Sequence, residues 1–128
     1  MTPNELAENN RWIAERVFGY RPTDDPDKWT ETDGTLLREE SGRVLIGLAY
    51  EIRHCKNMFA HTWHSFDCTH PFYAYELEQK IVDKCKTLMV GKSEEYYWAE
   101  TVVNRNGAFG FGVTRAEAVI LLARKIWK

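Results

Sequence analysis

Six of the chain's seven histidines and cysteines fall within 17 residues: His54, Cys55, His61, His64, Cys68 and His70. Thiolate and neutral imidazole are favoured zinc ligands, and zinc takes four of them at tetrahedral positions. The run Cys55-x5-His61-x2-His64-x3-Cys68-x-His70 holds enough donors for one such site. Its spacing matches no familiar zinc module, and it contains no Cys-x2-Cys knuckle. Packing of Phe59, Trp63 and Phe66 would order the segment without a metal. The expected cofactor is therefore none, with zinc on Cys55, His61, His64, Cys68 and His70 as the alternative. A Cys–His nucleophile would need Cys55 or Cys68 activated by an adjacent imidazole, and no family-specific sequence surrounds either. Cys85 stands at an apolar position of a predicted helix and reads as a small core residue.

Two further patterns touch on binding chemistry. Gly107-x2-Gly110-x-Gly112 precedes a helix, as phosphate-cradling glycines do. Here the glycines alternate with Phe109 and Phe111 within a strand. Glycines facing away from the Phe side are expected to let a helix or an aromatic pack closely. Charge is also uneven. Residues 24–40 carry seven acids against Lys28 and Arg38, whereas residues 105–128 carry five bases against Glu117. The acidic stretch does not fit a calcium loop, because the glycine and the terminal glutamate fall out of register. It can steer a basic protein partner. Aromatic side chains carry much interface energy. The expected partner-binding residues are Asp24, Asp25, Asp27, Trp29, Glu31, Asp33 and Trp63.

Composition limits what these residues can belong to. With 128 residues, 44% of them hydrophobic, and a net charge of −2, the chain suits one domain and is too apolar for disorder. Bulk charge gives no nucleic-acid footprint. The longest apolar stretch, Val44 to Tyr50, is too short to span a membrane. The N-terminus lacks the basic start and apolar run of a secretory signal, so a cytoplasmic location is expected.

The predicted elements follow from spacing and capping residues. Thr2-Pro3-Asn4-Glu5 starts a helix whose stripe is Leu6, Asn10, Ile13 and Val17, with Gly19 past its end. Residues 21–34 read as a loop. From Val44 to Ile52 strict alternation competes with a helical stripe, and Gly42 and Gly47 favour the strand. Residues 55–71 read as irregular or as a short strand pair. Phe72 to Met89 is predicted helical, with Tyr73, Leu77, Ile81, Cys85 and Leu88 inward and Gly91 as its stop. Tyr96–Val103 and the Phe109–Val113 stretch read as a hairpin turning at Asn106-Gly107. Thr114-Arg-Ala-Glu117 is a capping box, and Ala116, Val119, Ile120, Ala123, Ile126 and Trp127 form the buried face of the last helix. The order α-β(β)-α-β-β-α predicts an α+β domain: a three-layer α/β/α sandwich with a mostly antiparallel sheet of at least three strands flanked by three helices.

Three blocks resemble a known family. Asn4-Glu5-Leu6 leading to Ile13-Ala-Glu-Arg-Val-Phe-Gly-Tyr20 looks like the opening of the phage ABA sandwich proteins. Pro71-Phe-Tyr73 is similar to the family's aromatic entry to its middle helix. Tyr97-Trp98 to Phe111-Gly112, running into Thr114-Arg-Ala-Glu-Ala-Val-Ile-Leu-Leu-Ala123, resembles its closing hairpin and alanine-rich helix. The resemblance implies a three-layer sandwich of phage or prophage origin and brings no catalytic residues with it. The stretch from Leu36 to His70 departs from the family pattern. The expected function is a non-enzymatic binding protein acting on a host protein, such as a CRISPR-type defence component. The alternatives are a metal- or ligand-binding protein built on residues 54–70, with a pocket holding His61, His64 and Asp67, and a homo-oligomeric phage accessory protein. No direct nucleic-acid or membrane partner is expected.

Overall fold

The Thr2 hydroxyl accepts a hydrogen bond from the Glu5 backbone N–H at 3.2 Å, and Pro3 occupies the first helical position, so helix α1 spans Pro3–Arg16. The architecture is that of a computed structural model, which describes residues 1–20, 35–51 and 59–127. Asn10, a polar residue within the apolar stripe of α1, is buried because its side-chain oxygen accepts the Cys68 backbone N–H at 2.9 Å.

Strands β1 (Thr35–Glu40), β2 (Arg43–Glu51) and β3 (Phe59–Ser65) form an antiparallel sheet in that order. Ser41 and Gly42, both with positive φ, make the two-residue turn between the first two strands. Alternation thus prevails over the helical stripe in residues 43–51. Leu37, Val44 and Ile46 point into the core, and the register places His64 beside Ile46 on that face. The segment that lacked a period supplies β3.

Helix α2 spans Pro71–Cys85, with the His70 ring accepting the Phe72 N–H at 3.3 Å as its cap. Its inward residues Tyr73, Leu77 and Ile81 are the predicted ones. The helix ends four residues earlier than expected. Lys86 turns into the left-handed region (φ 71°), and Met89–Lys92 forms strand β4. Gly91 is no helix stop. It lies opposite Trp98, where an added Cβ would come within 2.1 Å of the indole.

Strands β5 (Tyr97–Val103) and β6 (Asn106–Gly112) complete a second antiparallel sheet, β4-β5-β6. The hairpin turns at Asn104-Arg105, both with positive φ, and not at Asn106-Gly107. The reason lies downstream. The last helix starts at Arg115, so a turn at 106–107 would leave residues 97–100 facing the chain beyond the end of the return strand. The observed register pairs Tyr97 with Gly112 and keeps all of β5 hydrogen-bonded.

Helix α3 spans Arg115–Ile126. Thr114 caps it by accepting the Glu117 N–H at 3.2 Å, while the Glu117 carboxylate accepts the Val113 N–H at 2.9 Å and pairs with the Met1 ammonium at 2.7 Å. Helix α3 packs on β5 and β6 and also touches α1 and α2, and α1 carries β2 of the first sheet. One continuous core results, running from Leu37, Val44 and Ile46 through Ile13, Leu77 and Ile81 to Ala99, Ala118 and Leu122. The expected α+β sandwich is present, with its strands divided between two three-stranded sheets. No helix among the described residues is long and apolar enough to cross a membrane.

Candidate functional site

Three of the predicted metal ligands, His64, Cys68 and His70, lie among the described residues. Cys68 is fully buried in the core, and burial, with Asp67 nearby, pushes its thiol up to about 12. At neutral pH it is a protonated core residue, since metals and electrophiles react with the thiolate. His70 accepts the Phe72 N–H through Nδ1 as the α2 cap. His64 stacks on Tyr73 and shares a short hydrogen bond with its hydroxyl. Burial, then Tyr20 and Cys68, raises the Tyr73 phenol to about 12. Phe18 meets Phe66 and Tyr73 edge to face, and Phe66 tilts against Tyr73 at 4.6 Å. Asp67 turns to the Thr69 N–H and hydroxyl. Cys55 and the side chain of His61 lie outside the described residues. Among the described residues, no three His, Cys, Asp or Glu side chains converge as a metal site.

The predicted binding residues Asp24, Asp25, Asp27, Trp29, Glu31 and Asp33 also lie outside the described residues. Trp63 stands outside the core, but it is occupied. Its register partner is Gly47, and the Arg38 guanidinium lies 4.4 Å from its ring centre.

The second sheet carries a surface that none of those residues belong to. Gly110 and Gly112 face α3 so closely that a Cβ on Gly110 would stand 2.1 Å from the Ala118 carbonyl oxygen. Side chains alternate across a strand, so Phe109 and Phe111 must point to the other face. Register places Met89, Glu100 and Phe109 in one row across that face, with Gly91, Trp98 and Phe111 in the next. Phe109 is 41% exposed, Phe111 50% and Met89 58%. Val102 continues the patch, and Tyr96 meets Phe111 edge to face at 5.6 Å. The two phenylalanines stack at 6.3 Å. Within this patch the Glu100 carboxylate makes no ion pair or hydrogen bond with any described residue.

No protein-family model matches the chain, and no curated protein is similar to it. A phage protein from Bacillus cereus ATCC 14579, solved by crystallography at 2.0 Å, shares the fold. Its TM-score is 0.53 at 17% identity, covering 98% of this chain and 88% of that one. At that identity the likeness is one of architecture.

The exposed aromatic face could have been found in the sequence. The Phe-Gly-Phe-Gly alternation at 109–112 already assigns glycines to the helix and phenylalanines to the opposite side. Missing was the knowledge that no described helix covers that opposite side. Met89 joins the patch only because residues 89–92 form a strand and not the end of α2.

Proposed function

We infer that the chain is a small phage or prophage binding protein that acts without catalysis by occupying a surface of a host protein. The observation that carries this reading is the outer face of the second sheet: Met89, Trp98, Val102, Phe109 and Phe111 share one open surface with the unpaired Glu100. Exposed aromatic side chains clustered on a rigid element are typical interface anchors, and large open apolar patches mark binding sites. A carboxylate set among aromatic rings suits an arginine or lysine, which gains both charge pairing and ring contact. The acidic residues Asp24, Asp25, Asp27, Glu31 and Asp33 would steer the same kind of basic partner. The partner is therefore a protein whose contact patch is apolar around a basic side chain. The resemblance to phage ABA sandwich proteins and the shared fold with a phage protein support the origin, and a host defence component is the partner class that suits an inhibitor of this size.

The test is affinity capture from a bacterial lysate with wild type, Phe111→Ser and Glu100→Lys. The reading expects one protein retained in equimolar amount by wild type and lost by both variants. Retention of the same protein by Phe111→Ser at wild-type level would refute this face as the contact.

A further inference from the structure

A second interaction element lies at the edge of the same sheet. Among the described residues, strand β6 has β5 on one side only. Two observations fix which of its backbone groups point outward. The Ser93 N–H donates to the Tyr96 carbonyl at 2.8 Å, and alternation from that bond turns the backbone groups of Tyr97, Ala99 and Thr101 toward β6. The non-bonded partners of β5 on this side are then Phe109 and Phe111. Independently, the Phe109 carbonyl accepts a hydrogen bond from Lys125 Nζ on α3, which requires that carbonyl to face away from β5. The outward donors and acceptors of β6 are thus those of Gly107, Phe109 and Phe111.

Beside this edge runs an open groove of about 510 Å³. Phe111 and the half-exposed Leu121 give it an apolar floor, Glu5 and Glu8 of α1 its acids, and Arg124 and Lys125 of α3 its bases. A two-fold interface brings a patch against itself, so a patch carrying both signs and an apolar centre can satisfy its own charges. An edge strand with outward N–H and C=O groups is likewise a template for pairing with its own symmetry mate.

We propose that β6 pairs antiparallel with β6 of a second copy of this chain, giving a continuous six-stranded sheet across a two-fold axis. Lys125, a flexible surface residue, swings off the Phe109 carbonyl when the partner strand's N–H replaces it. The outer aromatic faces of the two copies then lie side by side as one platform. This assignment shares Phe111 with the proposed host contact but rests on the strand edge and on Leu121, so Leu121→Glu and Gly107→Pro test it without altering Glu100, Trp98 or Phe111.

Sedimentation equilibrium on the full chain from about 1 to about 300 μM tests it. The expected result is a mass that rises from the 15.0 kDa of one chain to twice that value. Amide exchange followed by NMR should show the Phe109 and Phe111 N–H groups slowing about tenfold or more over the same range. Leu121→Glu, which places charge in the groove, and Gly107→Pro, which removes an outward donor without touching the β5–β6 ladder, should each hold the chain monomeric at 300 μM. A wild-type monomer throughout overturns the proposal. So does a dimer that survives both variants or leaves the two amides exchanging freely. In either case the host-partner reading would stand or fall on its own capture experiment.

Discussion

Replacing Gly110 by alanine adds a single carbon where α3 lies against β6. The Cβ would stand 2.1 Å from the Ala118 carbonyl oxygen and 2.5 Å from the Leu122 amide nitrogen. Carbon and oxygen in contact settle at about 3.3 Å, so the helix must retreat by about 1 Å. Both obstacles are helix backbone, which cannot step aside as a side chain can. Overpacking costs about 1–3 kcal/mol, and this geometry belongs at the upper end. Against it stands about 0.4–1 kcal/mol gained by stiffening the unfolded chain. The net expectation is a loss of about 2–3 kcal/mol. With a urea slope of about 2 kcal/mol/M, the unfolding midpoint should fall by about 1–1.5 M. Gly107→Ala is the control, because its Cβ would meet only the edge of the Phe109 ring at 3.2 Å. Circular dichroism at a series of urea concentrations reads both variants. A Gly110→Ala midpoint within about 0.3 M of wild type would show that the glycines of β6 do not face α3. The outward placement of Phe109 and Phe111, and the binding face with it, would then lose its basis.

Two other outcomes follow from buried groups. Asn10→Ala strands the Cys68 N–H in the core without its acceptor, and should lower stability by about 1–3 kcal/mol in the same urea titration; a neutral effect would mean that water replaces the amide. The Cys68 thiol, at 9.0 when unperturbed and about 12 when folded, ionises in the unfolded chain first. Its contribution is complete below pH 9 and is lost as pH rises toward 12, by about 1.4 kcal/mol per unit. Cys68→Ala should flatten that alkaline slope, and an unchanged slope would place the effect on other groups such as Tyr73.

Much of the frame could be read from local rules. Thr2 and Thr114 cap their helices as their spacing requires, and the alternation of Val44, Ile46 and Leu48 identified a strand against a competing helical stripe. What local rules missed had tertiary causes. The hairpin turn moved to Asn104-Arg105 because the start of α3 limits the length of the return strand. Helix α2 stopped at Cys85 because Met89–Lys92 is needed as the edge partner of β5. The candidate site was less legible still. The residues that looked chemical, Cys68, His64 and His70, serve packing and capping, while the surface available for contact consists of residues to which the sequence assigned no binding role. Periodicity tells which residues share a face, but not whether anything covers it.

The link between Asn9 and Arg124 bears on how the protein comes into being. Their side chains bond at 2.8 Å across 115 positions of sequence, where α1 lies against α3. During synthesis the first helix leaves the ribosome long before the surface that receives it exists. Residues 89–126, by contrast, form a hairpin and a helix whose contacts are nearly all local and can close quickly. The side of α1 that docks on α3, with Asn9, therefore stays open to chaperones, proteases and other nascent chains until α3 has emerged. Protease digestion of ribosome-stalled chains of increasing length reads that interval directly, with protection of α1 appearing only once α3 has emerged.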